Sequence, residues 1–402
     1  MKSKRIAYSL NGEGYGHYGR SIGIIKYLAN HFSGFQIDVY CYYNAYDIIS
    51  KELSLPANVS IKKNIGMHMC YNKKGTISFL KTIFLSKSNY VNFFKIFQVM
   101  FCGKVLDSII KFFNKTSSWG YNYTKKYIDD FDFAIVDYEP LLPLVAKIRK
   151  KKFITVDNIN LLLCGNFSGY GMNGKDWFYR QINKFLTQIE APMSNPAIIT
   201  TIYDYPLKNK FKDRIIKVGP LVRKEISELA SNVVIDDFIL VYIKSSIRKR
   251  MLPVLKEFKN MRFVVFTEPL SEWEKKHYSD EPHIEFHEID PIIFPDYLRR
   301  CRAIISAAGY TSFSEAMVLK KPLFAVSIGG VLAFEQRLNL NALRHSECGD
   351  GCTYRKFNKK RLMSFLNNLN RYQQMLEERN YQDDTTHVAE LIIDMIEKEL
   401  KS

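Results

Sequence analysis

Small residues and a carboxylate lie close together near the end of this 402-residue chain, between positions 306 and 316. The run Ser-Ala-Ala-Gly-Tyr-Thr-Ser-Phe-Ser-Glu-Ala follows an apolar stretch, a pattern typical of a strand, a tight turn and a helix N-terminus. The free backbone N–H groups and the positive dipole end of such a helix bind anions. Because Glu315 lies one turn into this helix, the pattern predicts a site for a phosphate-bearing ligand with nearby hydroxyl groups. A nucleotide sugar is such a ligand.

A second group of polar residues follows the first apolar stretch of the chain. Gly14 and Gly16 allow the backbone to approach a ligand closely, and His17 could act there as a general base. A helix-capping or merely exposed histidine is the alternative. Asp137 and Glu139 follow another apolar stretch, and these carboxylates could orient His17 or accept a proton themselves. Alternatively, they serve only the chemistry of a turn.

Two more polar pairs lie in the second half of the chain. Ser245 and Ser246 follow an apolar stretch, and their hydroxyl and N–H groups could hold a pyrophosphate or simply cap a helix. Glu335 and Gln336 follow a Gly-Gly loop at 329–330. A carboxylate beside an amide can bind a pair of sugar hydroxyls, although Glu is also common in the first turn of a helix.

Alternating strands and helices must position these groups. Short apolar runs bounded by turn residues predict strands at 5–10, 36–42, 59–65, 133–136, 153–156, 198–202, 215–218, 238–243, 262–267, 284–286, 303–307 and 323–326. This alternation is typical of parallel sheets covered on both faces by helices, which bind ligands beyond the carboxyl ends of their strands. The sequence therefore predicts an α/β protein with two doubly wound, parallel-sheet, Rossmann-like domains that face each other across a cleft.

The same pattern predicts the domain boundaries. An N-terminal domain covers 1–223, a polar linker 224–236 and a second domain 237–377, and a charged amphipathic helix covers 378–402.

Composition limits the cellular setting. Seven Cys residues are scattered along the chain, which indicates no disulfide framework and fits a reducing compartment. Cys348 and Cys352 flank Gly-Asp-Gly, but without a second Cys/His pair nearby they do not indicate a zinc site. No apolar run approaches the roughly 18 residues of a membrane-spanning helix. We therefore expect a cytoplasmic protein that binds, at most, the inner face of the cell membrane.

The positive charge of the chain is unevenly distributed. The net charge is +17, and residues 51–128 contain 13 Lys, no Arg and two acidic residues. Within this region, 76–113 mixes Lys with Phe, a pattern that could lie on an anionic membrane surface. A core helix with a solvated lysine face is the alternative. No recognisable nucleic-acid-binding module is present, so nucleic acid is not an expected partner.

The order of these motifs resembles that of the GT-B glycosyltransferases, in particular the group that includes the lipid-II-forming N-acetylglucosaminyltransferase and related bacterial and archaeal transferases. The resemblance covers nearly the whole chain. The segments that carry it are Gly14-x-Gly16-His17-x-x-Arg20, Asp137-Tyr138-Glu139-Pro140, Val218-Gly219-Pro220-Leu221-Val222-Arg223, Ala308-Gly309-x-x-Ser312-x-x-Glu315-Ala316, Lys321-Pro322 and Glu335-Gln336-x-x-Asn339-x-x-Ala342.

The resemblance implies a GT-B fold, with the acceptor bound by the N-terminal domain and the nucleotide-sugar donor, with UDP expected, by the second domain. Glu315 would bind the ribose hydroxyls, and Phe286 would lie where the backbone contacts the base. The residues implied at the donor diphosphate and sugar are Ser245, Ser246, Gly309, Thr311, Ser312, Gly330, Glu335 and Gln336. Those implied on the acceptor side are Gly14, Gly16 and Arg20, with His17 as base and Asp137 or Glu139 as its helper.

The implied reaction is direct displacement at the anomeric carbon, with inversion and with a lipid-linked or glycan hydroxyl as acceptor. No metal or cofactor is expected, because backbone N–H groups and a helix dipole stabilise the leaving diphosphate in this fold. Two features depart from the related transferases. Asn160 replaces a second acceptor-side histidine, and Tyr310 replaces a small residue and could narrow the donor site or stack in it.

Two other functions stay open at this point. One is hydrolysis of a nucleotide sugar by a protein of the same fold, in which His17 would activate water. The other is a protein that binds a nucleotide sugar without catalysis. The basic aromatic segment favours a transferase over a hydrolase, and the intact Glu315 and Glu335-Gln336 argue against loss of catalysis.

Overall fold

The computed structural model describes residues 4–12, 14–52, 54–65, 124–168, 174–328 and 334–401. Within them lie two parallel sheets, one in each half of the chain. The first sheet consists of β1 (Arg5–Leu10), β2 (Gln36–Cys41), β3 (Val59–Lys63), β4 (Phe133–Asp137), β5 (Lys152–Asp157), β6 (Ala197–Thr200) and β7 (Ile215–Val218). The second consists of β8 (Ile239–Tyr242), β9 (Phe263–Thr267), β10 (Ile284–Glu288), β11 (Ala303–Ala307), β12 (Leu323–Ser327) and β13 (Gly349–Thr353).

Helices connect these strands. Those of the first half are α1 (Gly14–His31), α2 (Tyr43–Ile49), α3 (Leu141–Ile148), α4 (Leu161–Cys164), α5 (Gly174–Glu190) and α6 (Lys224–Leu229). Those of the second half are α7 (Ser245–Lys256), α8 (Glu272–Tyr278), α9 (Phe294–Arg300), α10 (Tyr310–Val318), α11 (Phe334–Ser346), α12 (Lys359–Leu366), α13 (Leu369–Arg379) and α14 (Thr385–Lys401). Short 3₁₀ helices cover Asn209–Arg214, Ala230–Asn232 and Tyr354–Lys356.

The strand orders confirm the predicted fold class. The first sheet runs β3-β2-β1-β4-β5-β6-β7 and the second β10-β9-β8-β11-β12-β13. In each sheet the strand order reverses beside the first strand of that half, β1 or β8. The central strands are apolar runs because helices cover both faces, and Ile135, Val241 and Ile305 are completely buried. Ligands of such sheets bind outside the carboxyl ends of the strands at the point of reversal.

The strand β13 was missed by the sequence pattern. It has the sequence GDGCT, which contains no apolar run. The structure explains the two glycines, since a Cβ on Gly349 would lie 2.1 Å from the carbonyl oxygen of Leu323, and one on Gly351 would lie 2.0 Å from that of Ala325. Backbone packing against β12 therefore selects glycine here. Cys348 precedes this strand and Cys352 lies on it, and both are buried free thiols.

The C-terminal helix α14 belongs structurally with the first sheet. Its apolar side chains Val388, Ile392 and Ile396 are completely buried in the same core as Ile25 and Leu28 of α1. The chain therefore passes from the first half to the second after β7 and returns before α14. The two crossings are joined, because Asp384 donates its N–H to the carbonyl of Pro220 and accepts the N–H of Gly219.

A shared hydrophobic core joins the two halves. Tyr203 and Tyr205 from the first half lie in one cluster with Leu240 and Phe313 from the second. The rings of Tyr203 and Phe313 are 6.1 Å apart in an edge-to-face arrangement. The hydroxyl of Tyr205 also donates to the carbonyl of Leu338 across this boundary. None of the helices in the described ranges is both long and apolar enough to cross a membrane.

Candidate active site

The register of the first sheet brings His17 and Asp137 together. Strands β1 and β4 are neighbours, with Leu10 paired to Asp137, so the first turn of α1 lies over the end of β4. The Nδ1 atom of His17 lies 2.9 Å from Oδ1 of Asp137. The ring of Tyr138 stacks on the imidazole, with a centroid distance of 5.6 Å. Two residues separated by 120 positions in the sequence thus form one polar unit.

Asp137 is a buried carboxylate with several donors around it. Nε of Arg20 lies 2.8 Å from Oδ2, and the hydroxyl of Ser21 donates to the same oxygen at 2.8 Å. The Arg20 guanidinium also contacts Oδ1. Burial by itself would raise the pKa of Asp137, but the charge of Arg20 and the hydrogen bonds from Arg20 and His17 outweigh this effect and hold the pKa well below its usual range. Asp137 is therefore ionised at neutral pH.

This ionised carboxylate determines the tautomer of the histidine. Both Oδ1 of Asp137 and a guanidinium nitrogen of Arg20 lie within 2.9 Å of Nδ1. Because a buried carboxylate is the strongest acceptor present, we assign the proton to Nδ1, which donates it to Asp137. The Nε2 atom of His17 is then unprotonated and can accept a proton from a substrate. His17 and Asp137 have the arrangement of a general base and its orienting partner.

Glu139 has a different role from the predicted one. Its carboxylate accepts the N–H groups of Leu141, at 2.8 Å, and Leu142, at 2.9 Å, at the start of α3. Burial raises its pKa to about 7, against the effect of these two hydrogen bonds. The carboxylate is thus directed at the helix rather than at His17. Of the two candidate helpers, Asp137 makes the contact, and Glu139 serves the turn.

A chain of hydrogen bonds runs from this pair across the cleft. Arg20 donates to the side-chain carbonyl of Asn158 at 2.9 Å, and the amide nitrogen of Asn158 donates to Glu335 at 2.8 Å. Asn158 follows β5 in the first sheet, whereas Glu335 lies at the start of α11 in the second half. The predicted acceptor-side Arg20 and the predicted sugar-binding Glu335 are therefore parts of one polar network.

Asn160, which replaces a histidine expected on the acceptor side, belongs to the turn after β5. Asn160 is completely buried, and both its N–H and its side-chain amide donate to Asp157, each at 2.7 Å. Burial raises the pKa of Asp157 to about 6, although these hydrogen bonds oppose the shift. Asn160 thus stabilises the turn after β5 and does not reach the cleft.

The N-terminus of α10 meets the N-terminus of α1. A Cβ on Gly16 would lie only 2.2 Å from the hydroxyl oxygen of Thr311, so glycine allows this close approach. Gly309 is the N-cap of α10, and a Cβ there would meet no atom within 4 Å. Gly14, Thr311 and Ser312 all lie in the first turns of these two helices. Two positive helix ends and open space beside Gly309 form a place where a diphosphate can approach backbone N–H groups.

Glu315 is nearly buried and already has a partner. Arg223, from the segment after β7, donates its Nε to Oε1 of Glu315 at 2.8 Å. Burial would lower the pKa of Arg223, but Glu315 raises it above its usual value. A Cβ on Gly19 of α1 would lie 2.6 Å from Cγ of Arg223, so the arginine is wedged between α1 and α10. Sequence reasoning gave Arg223 no role, and only its place in a motif could have marked it.

The remaining donor-side residues are divided among several environments. Oε1 of Gln336 accepts the N–H of Ile328 at 2.9 Å. Ser245 begins α7, and its N–H pairs with the carboxylate of Glu268, a residue that sequence reasoning missed. Phe286 lies on β10 and packs against the core of the second half. The Ser246 side chain and Gly330 lie outside the described residues, as does 76–113.

Tyr310 lies away from the position expected from the sequence. It is nearly buried, and its hydroxyl lies 3.0 Å from that of Thr200 on β6. Burial raises its pKa to about 12. The ring therefore joins the two halves behind the cleft and does not stack in the donor site.

Two parallel-sheet, Rossmann-like domains that face each other across a cleft are the architecture of the GT-B glycosyltransferases. Residues 4–370 match the model of glycosyl transferase family 1, and the chain belongs to this family. It is a glycosyltransferase that transfers sugars. No curated protein matches the sequence significantly.

Solved structures share the fold at low sequence identity. MurG of Acinetobacter baumannii is 14% identical, with a TM-score of 0.54, over 97% of this chain and 99% of that one. Medicago truncatula UGT71G1, complexed with UDP-glucose, is 13% identical, with a TM-score of 0.62, over 98% of both chains. UDP-glucose:anthocyanidin 3-O-glucosyltransferase, in complex with UDP, is 11% identical, with a TM-score of 0.66, over 99% of this chain and 100% of that one.

Proposed function

We propose that this glycosyltransferase moves a sugar from a nucleoside diphosphate donor, with UDP as the expected nucleotide, to a hydroxyl group of its acceptor. The observation that carries the proposal is the His17–Asp137 pair, 2.9 Å apart, beside two helix N-termini that meet across the cleft. Structural neighbours complexed with UDP-glucose or UDP support the choice of nucleotide.

His17 is the proposed base of the reaction. Its Nε2 removes the proton of the acceptor hydroxyl as that oxygen forms a bond to the anomeric carbon of the donor. Asp137 keeps the ring in the tautomer with Nδ1 protonated and stabilises the imidazolium that forms. The bond from the anomeric carbon to the diphosphate oxygen breaks in the same step. A single displacement of this kind inverts the configuration of the sugar.

The N-terminus of α10 is the proposed binding site for the leaving diphosphate. Backbone N–H groups near Thr311 and Ser312, together with the helix dipole, stabilise the charge that develops as the bond breaks. The open space beside Gly309 permits the approach. These groups supply the stabilisation that a cation would otherwise give, so we propose a metal-independent reaction without a cofactor.

Donor binding would bring new hydrogen-bond donors to two carboxylates that already have partners. Glu315, the proposed ribose ligand, is paired with Arg223, and Glu335, the proposed sugar ligand, is bonded to Asn158. Ribose and sugar hydroxyls would replace these donors or join them. Since both partners of the carboxylates come from the first half of the chain, donor binding is coupled to the fit of the two halves.

We also propose the kind of acceptor and the place of action in the cell. A lipid-linked or glycan hydroxyl fits a base on the acceptor side of the cleft, and the basic aromatic segment 76–113 favours a protein at the inner face of the cell membrane.

The test is nucleotide binding followed by turnover. UDP should raise the Tm of the protein, and Glu315→Gln should reduce that rise. The matched control is Asp38→Asn, because Asp38 is also buried and bonded to an arginine, Arg5 at 3.0 Å, which begins β1 at the end of the sheet opposite the cleft. If no nucleoside diphosphate raises the Tm, the donor site is assigned wrongly.

Turnover is followed as release of UDP from a panel of UDP-sugars, with and without hydroxyl acceptors. His17→Ala should keep the Tm rise and lose the release of UDP by about 100-fold or more. Undiminished release in this variant would mean that another group is the base. Full-rate release without any acceptor would identify a hydrolase instead.

A further inference from the structure

The helix α5 buries several polar side chains and exposes large aromatic ones, which is the reverse of the pattern of a normal surface helix. Its side chains Asp176, Asn183 and Thr187 are buried, whereas large aromatic side chains face solvent. The exposed fractions are 62% for Trp177, 56% for Phe178 and 63% for Phe185. A contiguous exposed aromatic face of this kind marks an interaction site rather than a scattered surface residue.

The spacing places these aromatics on one side of α5. Positions 177, 178, 181, 184, 185 and 188 follow the i, i+3, i+4 repeat of a single helical face. This set contains the three exposed aromatics, two glutamines and Lys184. The face is thus apolar with amide and ammonium groups along it, and it contains no acidic residue.

A group of cations lies beside this face. Arg180 donates to the carbonyl of Gly165 at 2.8 Å, and Lys208 donates to the carbonyl of Leu163 two residues earlier. Lys184 lies one helical turn from Arg180. Lys210 and Lys208 share one aromatic neighbour, because their Nζ atoms lie 5.1 Å and 6.0 Å from the ring centre of Phe211. Within the described part of the chain, none of these four cations has a carboxylate within ion-pair distance.

Repulsion between these cations, which no nearby carboxylate among the described residues offsets, contributes to lowered pKa values of two of the lysines. Burial, together with the charges of Arg180 and Lys184, lowers the pKa of Lys208 to about 8. Burial lowers the pKa of Lys184 as well, with contributions from Arg180 and Lys210. An anion placed among these side chains would relieve their repulsion, so the group favours an anionic partner.

We propose that this aromatic–basic face, formed by Trp177, Phe178, Lys184, Phe185, Arg180, Lys208 and Lys210, docks the protein on an anionic lipid bilayer. Trp and Phe on one side of a helix, flanked by Lys and Arg, are the composition of helices that lie in the plane of a membrane interface. Acyl chains take the aromatic rings, and headgroup phosphates take the cations.

The sequence outside the described residues bears on the kind of partner that this face favours. Residues 66–123 contain eight Lys and a single acidic residue, so this segment does not supply the negative charge that the cations of the aromatic–basic face favour. An acidic protein partner or a second copy of the chain remains for the experiment to distinguish.

The buried side of α5 adjoins the cleft. Asp176, at the start of α5, forms an ion pair of 2.8 Å with Arg337, which lies two residues after Glu335 on α11. A bilayer bound to the exposed side of α5 would therefore be separated from the donor-side rim of the cleft by the width of this helix. Docking by this face does not depend on the proposed sugar transfer, so the two can fail separately.

Vesicle flotation tests the docking with the full chain. The protein should float with phosphatidylcholine vesicles that contain phosphatidylglycerol, less at high salt, and not with phosphatidylcholine alone. The triple variant Trp177→Ser, Phe178→Ser, Phe185→Ser and the double variant Lys184→Glu, Lys210→Glu should each bind at least about tenfold more weakly. Because the replaced aromatics are more than half exposed, the Tm should stay unchanged in the triple variant.

The matched control lies on α8 in the other half of the chain. Trp273 is 56% exposed and Lys276 is also exposed, so Trp273→Ser, Lys276→Glu removes similar groups and should bind like the original protein. If the α5 variants bind as tightly as this control, the proposal is overturned.

A direct readout comes from the fluorescence of Trp177. The sequence contains three Trp, so Trp119→Phe, Trp273→Phe leaves Trp177 alone. Lipids brominated on the acyl chain should quench its emission when vesicles are added. Absence of quenching would overturn the proposal. So would a concentration-dependent dimer, seen by size-exclusion chromatography, that the α5 serine variant abolishes while vesicle binding is unaffected.

Discussion

Arg20 contributes to the site through the charge of Asp137. Without the guanidinium, burial would dominate and the buried carboxylate would take up a proton more readily. A depressed carboxyl pKa stabilises the folded state above the ordinary pKa of the unfolded chain, and this stabilisation is lost as the pH falls through the folded value. Arg20 therefore holds His17 in place only as long as Asp137 is charged.

Arg20→Met should reduce the free energy of unfolding by about 3–5 kcal/mol at neutral pH, because it leaves a buried charge without its partner. The deficit should shrink as the pH is lowered, since Asp137 of the variant can then be protonated. Urea unfolding at neutral and at mildly acidic pH measures the difference. Arg20→Lys is the control, because it keeps a positive charge and should lose less. An equal deficit at both pH values would mean that Arg20 acts through packing alone.

Glu139 should show the opposite dependence on pH. Its folded pKa of about 7 lies above the ordinary value of 4.5, so the folded state binds the proton more tightly than the unfolded chain. Wild-type stability due to this group is therefore present at low pH and decreases as the pH rises between these two values.

Glu139→Gln does not titrate, so its free energy of unfolding relative to the original protein should rise by on the order of 2 kcal/mol from mildly acidic to neutral pH. A constant loss of about 1 kcal/mol is expected at all pH values, because an amide cannot accept both N–H groups of α3. Glu228→Gln on the surface, where the side chain is 63% exposed, should show no such trend. A flat difference for Glu139→Gln would contradict the raised pKa.

At the scale of elements, the approach of α1 to α10 leaves no room for a side chain at Gly16. Gly16→Ala should lower the free energy of unfolding by about 1–3 kcal/mol, because the new methyl group would overlap the hydroxyl of Thr311. Adding Thr311→Ala should recover part of that loss, as measured by thermal or urea unfolding. Gly309→Ala, where the methyl group meets open space, should change stability little. If the second substitution gives no recovery, the two helices do not press on each other at this point.

The sequence predicted those elements whose physics is local. Buried parallel strands are apolar runs, so β4 and β11 were found from composition, whereas β13 was missed because close backbone packing selects glycine there. Both Asp137 and Glu139 follow a strand, and only the pairing of β1 with β4 shows which of them meets His17. Contacts such as Asn158 with Glu335 join residues 177 positions apart, and no single-sequence pattern encodes them.

At the scale of the whole molecule, α14 is an integral part of the first half rather than an appended helix. Ile392→Ala should reduce the free energy of unfolding by about 2–5 kcal/mol, because the side chain is completely buried against α1. Denaturant unfolding measures the loss, and Glu390→Ala, on the exposed side of the same helix, is the control. An unchanged midpoint for Ile392→Ala would show that α14 does not stabilise the domain.

The paired chain crossings have a mechanical consequence. Since Asp384 is bonded to Gly219 and Pro220, the polypeptide leaves the first half and returns to it at one place, which makes a two-stranded hinge. Rotation about such a hinge displaces each cross-cleft contact in proportion to its distance from it. Arg223 follows the first crossing directly, so it should stay near Glu315 while the cleft widens to admit a donor. The Arg223–Glu315 contact would then hold the two halves together next to the hinge while the rest of the cleft opens.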